Sequence, residues 1–251
     1  EMLRSLVGSE MCIRDRFKIL AKESLSIHEK LIVILDMGSK IQQCINTDEY
    51  DNIKSVVNDY LKEGIDHTLD ETRNLSDSGQ FEDISLQQGI RQILYPYEEM
   101  EVLNPEWEVI LKDIIDSLFE QMSDEEYNIL NEEFGTYMVS RAYEYRQLLE
   151  YLVFRYFAKS IYDYDFLGKC QMLVTNFFVI RQMDIIRWLD NHREYSFKDR
   201  MDVVHIFSRQ VEYSEDNIEN LYEDFIFDDI FKTDSLIAIL WIDSENICLL
   251  Y

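Results

Sequence analysis

The sequence predicts an all-α protein, a packed antiparallel bundle of long helices, and three observations carry that expectation. In 251 residues there are 2 prolines and 7 glycines, too few punctuators for a fold rich in turns. Apolar residues recur at three- and four-residue spacing along most of the chain. Strand signals are thin. Apolar–polar alternation nowhere persists beyond a few residues, and no Asn-Gly or Asp-Gly hairpin turn occurs.

Residues 1–16, EMLRSLVGSEMCIRDR, resemble the translation of a sequencing adapter and are read as a leader foreign to the fold. A signal peptide is a poor reading, because Glu10 and Asp15 fall where its apolar core should be. Residues 17–251 are then expected to be one helical domain, truncated from a larger protein. Ser26-Ile27-His28-Glu29 is a capping box, in which hydroxyl and carboxylate each satisfy a first-turn N–H. It opens a helix with Leu31, Ile34, Leu35, Ile41 and Ile45 on one face. A second helix fits Asp48 to Lys62, with Tyr50, Ile53, Val57, Tyr60 and Leu61 facing in and Gly64 as its stop. From Asp66 to Asp83 the chain turns polar. Asn74 to Gly79 is its clearest loop and marks a loose internal boundary.

Asp83 to Leu94 reads as a helix ended by Tyr95-Pro96, since proline pushes the preceding residue out of the helical region. Asn104-Pro105-Glu106-Trp107 combines an N-cap, a first-turn proline and an early acid. The stripe that follows is Trp107, Ile110, Leu111, Ile114, Leu118 and Phe119. Ser123 to Glu126 is a second capping box. Glu132 to Tyr162 fits one long helix, burying Phe134, Tyr137, Met138, Leu149, Leu152, Val153, Tyr156 and Phe157. Phe166 to Trp188 is apolar over more than half its circumference and belongs at the centre. Ser196 and Ser214 cap two further helices. LIAILWI from Leu236 and the final ICLLY fit either a short C-terminal hairpin or a buried helix.

The formal charge of −26 argues against nucleic acid or an anionic membrane surface as partner, because both need a basic footprint. It is compatible with a lysine-bearing protein partner, but on charge alone a merely solvated acidic surface accounts for it more readily. Cys44, Cys170 and Cys248 lie far apart without CxxC or Cys/His spacing, so no metal site is expected among them. Isolated thiols in a chain without a signal sequence read as reduced residues of a cytoplasmic protein. Asp202 and His205 have di-iron spacing without a second such pair. Asp224, Asp228 and Asp229 lack the spacing of a magnesium-binding aspartate motif. His28, His67 and His192 read as solvated surface histidines. There is no G-x-G-x-x-G, phosphate loop or nucleophile elbow.

NPEW at Asn104, the segment YEYRQLLEYLVFRYFAKSIYDYDFLGK from Tyr143, and SRQVEYSEDN from Ser208 together resemble the flagellin lysine-N-methylase family, in its C-terminal helical region. The resemblance spans roughly Asn104 to Leu221. It implies S-adenosylmethionine-dependent methylation of flagellin lysines, with flagellin as the protein partner. It also implies a cysteine-bound metal or iron–sulfur cluster in an N-terminal part. This sequence has no such cysteine motif, so activity of the chain alone is not expected.

Within the retained part, Arg155, Tyr156, Arg181, Arg209 and Glu212 are the candidate substrate- or cofactor-binding residues. On a regular helix Arg209 and Glu212 share a face and either pair together or present a cation and a carboxylate into a cleft. Arg155 and Arg181 interrupt apolar faces. A buried arginine must find acids or carbonyls, with Asp163, Asp165 or Glu212 as bracing partners and a ligand carboxylate as the alternative. The tyrosines at 143, 145, 151, 156, 162 and 164 read as core and rim more readily than as a methyl-ammonium cage. The competing function is a non-catalytic acidic helical interaction module, which predicts an apolar groove or patch.

Overall fold

In a computed structural model, which describes residues 18–77 and 84–246, every regular element among those residues is helical. Helix α1, Ile27–Asn46, starts as its capping box dictates. Ser26 Oγ accepts from the Glu29 N–H at 3.2 Å, and the Glu29 carboxylate accepts from the Ser26 N–H at 2.8 Å. The run Leu31–Leu35 is buried on every side, so α1 is a central element and not the one-faced helix the sequence suggests.

The chain divides into two units, Glu1–Glu82 with Gly135–Val174 and Thr233–Tyr251, and Asp83–Phe134 with Thr175–Lys232. In the first, α1 packs against α2 (Tyr50–Asp59), α3 (Ile65–Asp77), α7 (Ala142–Tyr156) and α12 (Thr233–Asn246). Gly64 does not stop the second helix. It lies in a π-helical turn, Tyr60–Gly64, that joins α2 to α3. The Asp59 carbonyl oxygen would stand 3.0 Å from a Cβ at Gly64, so the missing side chain admits the bulge. Helix α3 therefore takes up most of the expected polar loop, and residues 78–83 lie outside the described residues.

Glu132 to Tyr162 is not one helix. α6 (Asp124–Met138) ends in a 3₁₀ turn at Val139–Arg141, and α7 ends in another at Phe157–Lys159 before the short α8 (Ser160–Asp163). Local side chains hold these breaks. Arg141 doubles onto the Glu144 carboxylate at 2.7 and 3.0 Å, and Ser160 Oγ donates to the Phe157 carbonyl at 2.7 Å. Tyr164, at φ 57°, turns the chain into α9, Phe166–Asp190. Gln42 of α1 accepts from the Phe166 and Leu167 N–H groups at 2.7 and 3.1 Å, a long-range cap on that helix. The C-terminal LIAILWI segment is helical, not a hairpin strand. Leu236 to Trp241 are all buried, which a helix packed on several sides requires. ICLLY, residues 247–251, lies outside the described residues.

In the second unit, α4 (Leu86–Glu98) starts at Ser85 and continues through Pro96, where the sequence reading ends it at Tyr95. Its last turn persists because Tyr97 is fully buried, donating to Asn176 Oδ1 at 2.8 Å, and because Arg91 pairs with Glu98. α5 (Pro105–Ile114) has the expected Asn104 cap, accepting from the Glu106 N–H at 3.2 Å, and runs into a π turn at Ile115–Glu120. α10 (Phe197–Phe207) and α11 (Glu215–Phe227) are capped by Ser196 and Ser214 as expected, with a third π turn, Ser208–Glu212, between them. α4 packs on α11, and α5 on α10. The middle of α9 is buried almost completely.

Candidate functional site

The two strongest motifs in the second unit meet. Gln210 and Asn217, both from SRQVEYSEDN, fold onto Glu101–Asn104, the stretch leading into NPEW. Gln210 Oε1 accepts from the Leu103 and Asn104 N–H groups at 2.9 and 3.2 Å, while its Nε2 donates to the Glu101 carbonyl at 2.6 Å. Asn217 Oδ1 accepts from the Glu101 N–H at 3.0 Å, and its Nδ2 donates to the Glu101 and Gln210 carbonyls at 3.1 and 3.2 Å. Two buried amides thus satisfy a non-helical stretch that carries its own donors and acceptors. The motif's first visible task is to fix the entry angle of α5.

Beside that clamp a cleft of about 220 Å³ runs along α5. Trp107, Leu111 and Ile115, four residues apart, line it, and Glu108, Lys112 and Asp116 form the neighbouring row. Glu98 also lines it, but is engaged by Arg91. The Glu108 and Asp116 carboxylates make no hydrogen bond or ion pair with the described residues. The cleft is smaller than the roughly 300–1,000 Å³ of pockets that enclose whole small-molecule ligands, and matches a single side chain better.

Arg209 and Glu212 do not share a face. The wider π turn spreads residues three apart, leaving Arg209 exposed while Glu212 is buried and accepts from Ser208 Oγ at 2.5 Å. Arg181 is 1% exposed and braces the core through Asn131, donating to its side-chain oxygen and, at 3.3 Å, to its carbonyl. Its guanidinium also lies 5.7 Å from the Phe134 ring centroid. A second buried arginine escapes sequence reading: Arg200 pairs with Asp184 at 2.5 Å, and Tyr195 donates to the same carboxylate. An acid inside the apolar run RQMDIIRW was the available signal, since a buried charge must find a partner.

In the first unit, Arg155 is half-buried, 5.8 Å from the ring centroid of the buried Tyr156. Asp163 and Asp165, expected to brace an arginine, pair with the buried Lys169 at 2.8 and 3.5 Å. Of the clustered tyrosines, Tyr145 and Tyr156 are buried and Tyr143, Tyr151, Tyr162 and Tyr164 are exposed. His28 is not a surface histidine. It is 1% exposed, with Nε2 2.7 Å from the Asp243 carboxylate. Asp36 gathers Tyr60, Lys40 at 3.0 Å and Thr68 at 3.3 Å. Burial, then the hydrogen bond to Asp36, pushes the Tyr60 phenol up to about 12. Burial works against the Lys40 ammonium, but its bonds to Tyr60 and Asp36 outweigh it and raise its pKa.

Among the described residues no three His, Cys, Asp or Glu side chains converge as metal ligands, and Cys44 and Cys170 are both buried. These residues do not fit a cysteine-bound cluster. No helix among them is long and apolar enough to cross a membrane. The family model of the FliB lysine N-methylase C-terminal domain matches residues 16–239. No curated protein and no solved structure matches the chain.

Proposed function

Because the chain belongs to the family of FliB lysine N-methylase C-terminal domains, we propose that it serves as the C-terminal part of a flagellin lysine N-methylase. The match over residues 16–239 carries this reading, since it spans both units and every motif singled out above. In the proposal, S-adenosylmethionine supplies the methyl group, and it and a cysteine-bound cluster are held by a part of the enzyme other than these residues. The helical units receive the protein substrate. A formal charge of −26 supports that role, because it draws a lysine-bearing partner towards the chain before contact. The test incubates the complete enzyme with flagellin and methyl-labelled S-adenosylmethionine. Label on flagellin lysines is expected, and unlabelled flagellin with an enzyme shown to bind the donor would overturn the reading.

One observation favours the alternative, a non-catalytic interaction module. Tyr143, Tyr151 and Phe154 form an exposed stripe on α7, with Phe154 74% accessible. Under that reading Phe154→Ser abolishes capture of a partner protein, and no methyl transfer is found for the complete protein.

A further inference from the structure

We propose that α10 and the turn after it present a docking face for a second copy of this chain, which lays its α11 along that face in the opposite direction. This contact is independent of the lysine-methylase reading and goes beyond it.

Residues spaced four apart make the face. Phe197, Met201 and His205 run along α10, Arg209 follows in the π turn, and Tyr213 ends the row just past it; all five are exposed. Each step of four drifts by about 40° on an α-helix, and the wider winding of the π turn takes part of the drift back, so the row keeps to one side. Its apolar members, Phe197, Met201 and Tyr213, are between 52% and 79% accessible. The side of α10 that packs inward, Val203, Ile206 and Phe207, is a separate stripe. Lys198 stands next to Phe197. Lys198, His205 and Arg209 make no ion pair with the described residues, and Asp202, the acid on the adjoining row, is half-buried. A row of exposed aromatics and cations is not what keeps a chain of formal charge −26 in solution.

The matching surface lies on α11. Glu215, Glu219 and Glu223 are also four apart and exposed, and their row ends in Phe227, 78% accessible, with the exposed Asp228 beside it. Phe197 to Arg209 and Glu215 to Phe227 each cover about 18 Å at 1.5 Å per residue. Along the chain, the first row runs from apolar to cationic and the second from acidic to apolar. Laid antiparallel, Phe197 therefore meets Phe227, Lys198 meets Asp228, and Arg209 meets Glu215 and Glu219. A parallel arrangement would set carboxylates against rings. Both rows are exposed in one copy, so neither covers the other, and a second copy supplies the complement. Burial of the aromatic area gives the affinity, and the charges fix the direction.

The experiment follows the 251-residue chain by sedimentation equilibrium at about 0.15 M salt, where screening over about 8 Å shields two copies of charge −26 from each other at a distance. An average mass that rises with concentration is expected. Lys198→Glu/Arg209→Glu and Glu219→Lys/Asp228→Lys should each weaken association by roughly tenfold or more, since like charges then face each other. Mixing the two variants should restore it, because the intact α11 row of the first meets the intact α10 row of the second. That restoration also excludes misfolding as the cause of the loss. Phe227→Ser should weaken association, whereas Phe154→Ser, which alters an exposed aromatic of α7, should leave it unchanged. A chain that stays monomeric, a mixture no tighter than either variant alone, or equal weakening by Phe154→Ser overturns the docking face.

Discussion

His28 Nε2 stands 2.7 Å from Asp243 Oδ2, with both side chains buried, and the contact ties the first turn of α1 to the last turn of α12. Replacing the imidazole by a hydrocarbon leaves a carboxylate in the interior without that partner. His28→Leu should lower stability by about 3 kcal/mol, the scale of breaking a buried polar pair. Urea unfolding of the two proteins checks this, and a midpoint shift near zero would show that Asp243 is held well enough by its other neighbours.

At Gly38, α1 lies close against Cys170 near the start of α9. A Cβ there would overlap Cys170 Sγ, the end of a short, fully buried side chain. Gly38→Ala should destabilise by about 1–3 kcal/mol through overpacking. Cys170→Ala should recover most of that loss when the two are combined. Strictly additive effects in the double-mutant cycle would contradict the contact.

Tyr60 makes stability fall in alkaline solution. Its pKa of about 12 in the folded chain exceeds the value near 10 of an unfolded one. The folded state therefore holds the phenolic proton more tightly. That contribution is complete below about pH 10 and is lost as the pH climbs to about 12. Over this window the wild-type chain should lose stability more steeply than Tyr60→Phe. Parallel curves would remove Tyr60 as the cause.

Gln210 satisfies three backbone groups with one side chain. Gln210→Ala should cost about 2–3 kcal/mol, because buried donors lose their acceptor. It should also speed amide exchange at Leu103 and Asn104 before it does so in α9. Uniform acceleration across the unit would mean global destabilisation instead of loss of a local clamp.

The helix starts were legible because capping is local chemistry. Ser26, Asn104, Ser123, Ser196 and Ser214 each sit next to the N–H groups they satisfy, so spacing alone reveals them. The ends were less legible. Gly64 and Pro96 carry stop signals that the fold overrides, the first in a π turn whose own Asp59 carbonyl crowds any side chain there and the second through a buried tyrosine that anchors the last turn. The candidate site shows the same division. Arg181 declared itself as a cation in an apolar run. Its partner Asn131 lies 50 positions away, and no periodicity links the two. His28 reads as a surface histidine by local spacing, because its partner Asp243 lies 215 positions away. The unbroken run LIVIL, apolar at positions off the stripe, was the signal that α1 is buried on every side.

Three π turns occur among the described residues: Ile115–Glu120 and Ser208–Glu212 finish α5 and α10, whereas Tyr60–Gly64 runs straight on into α3. The turn at Tyr60–Gly64 holds one residue more than the α-helical path needs, and α3 after it is rotated by about 100° relative to an unbroken helix. It is therefore a point where the chain can lose a residue and keep both flanking helices. A deletion within α2 or α3 turns a buried face outward, whereas one inside this turn only restores the simpler winding. Lengths compared between relatives should differ here first, and a count of spacings carried across Tyr60–Gly64 must drop one residue before it says which side chains are neighbours.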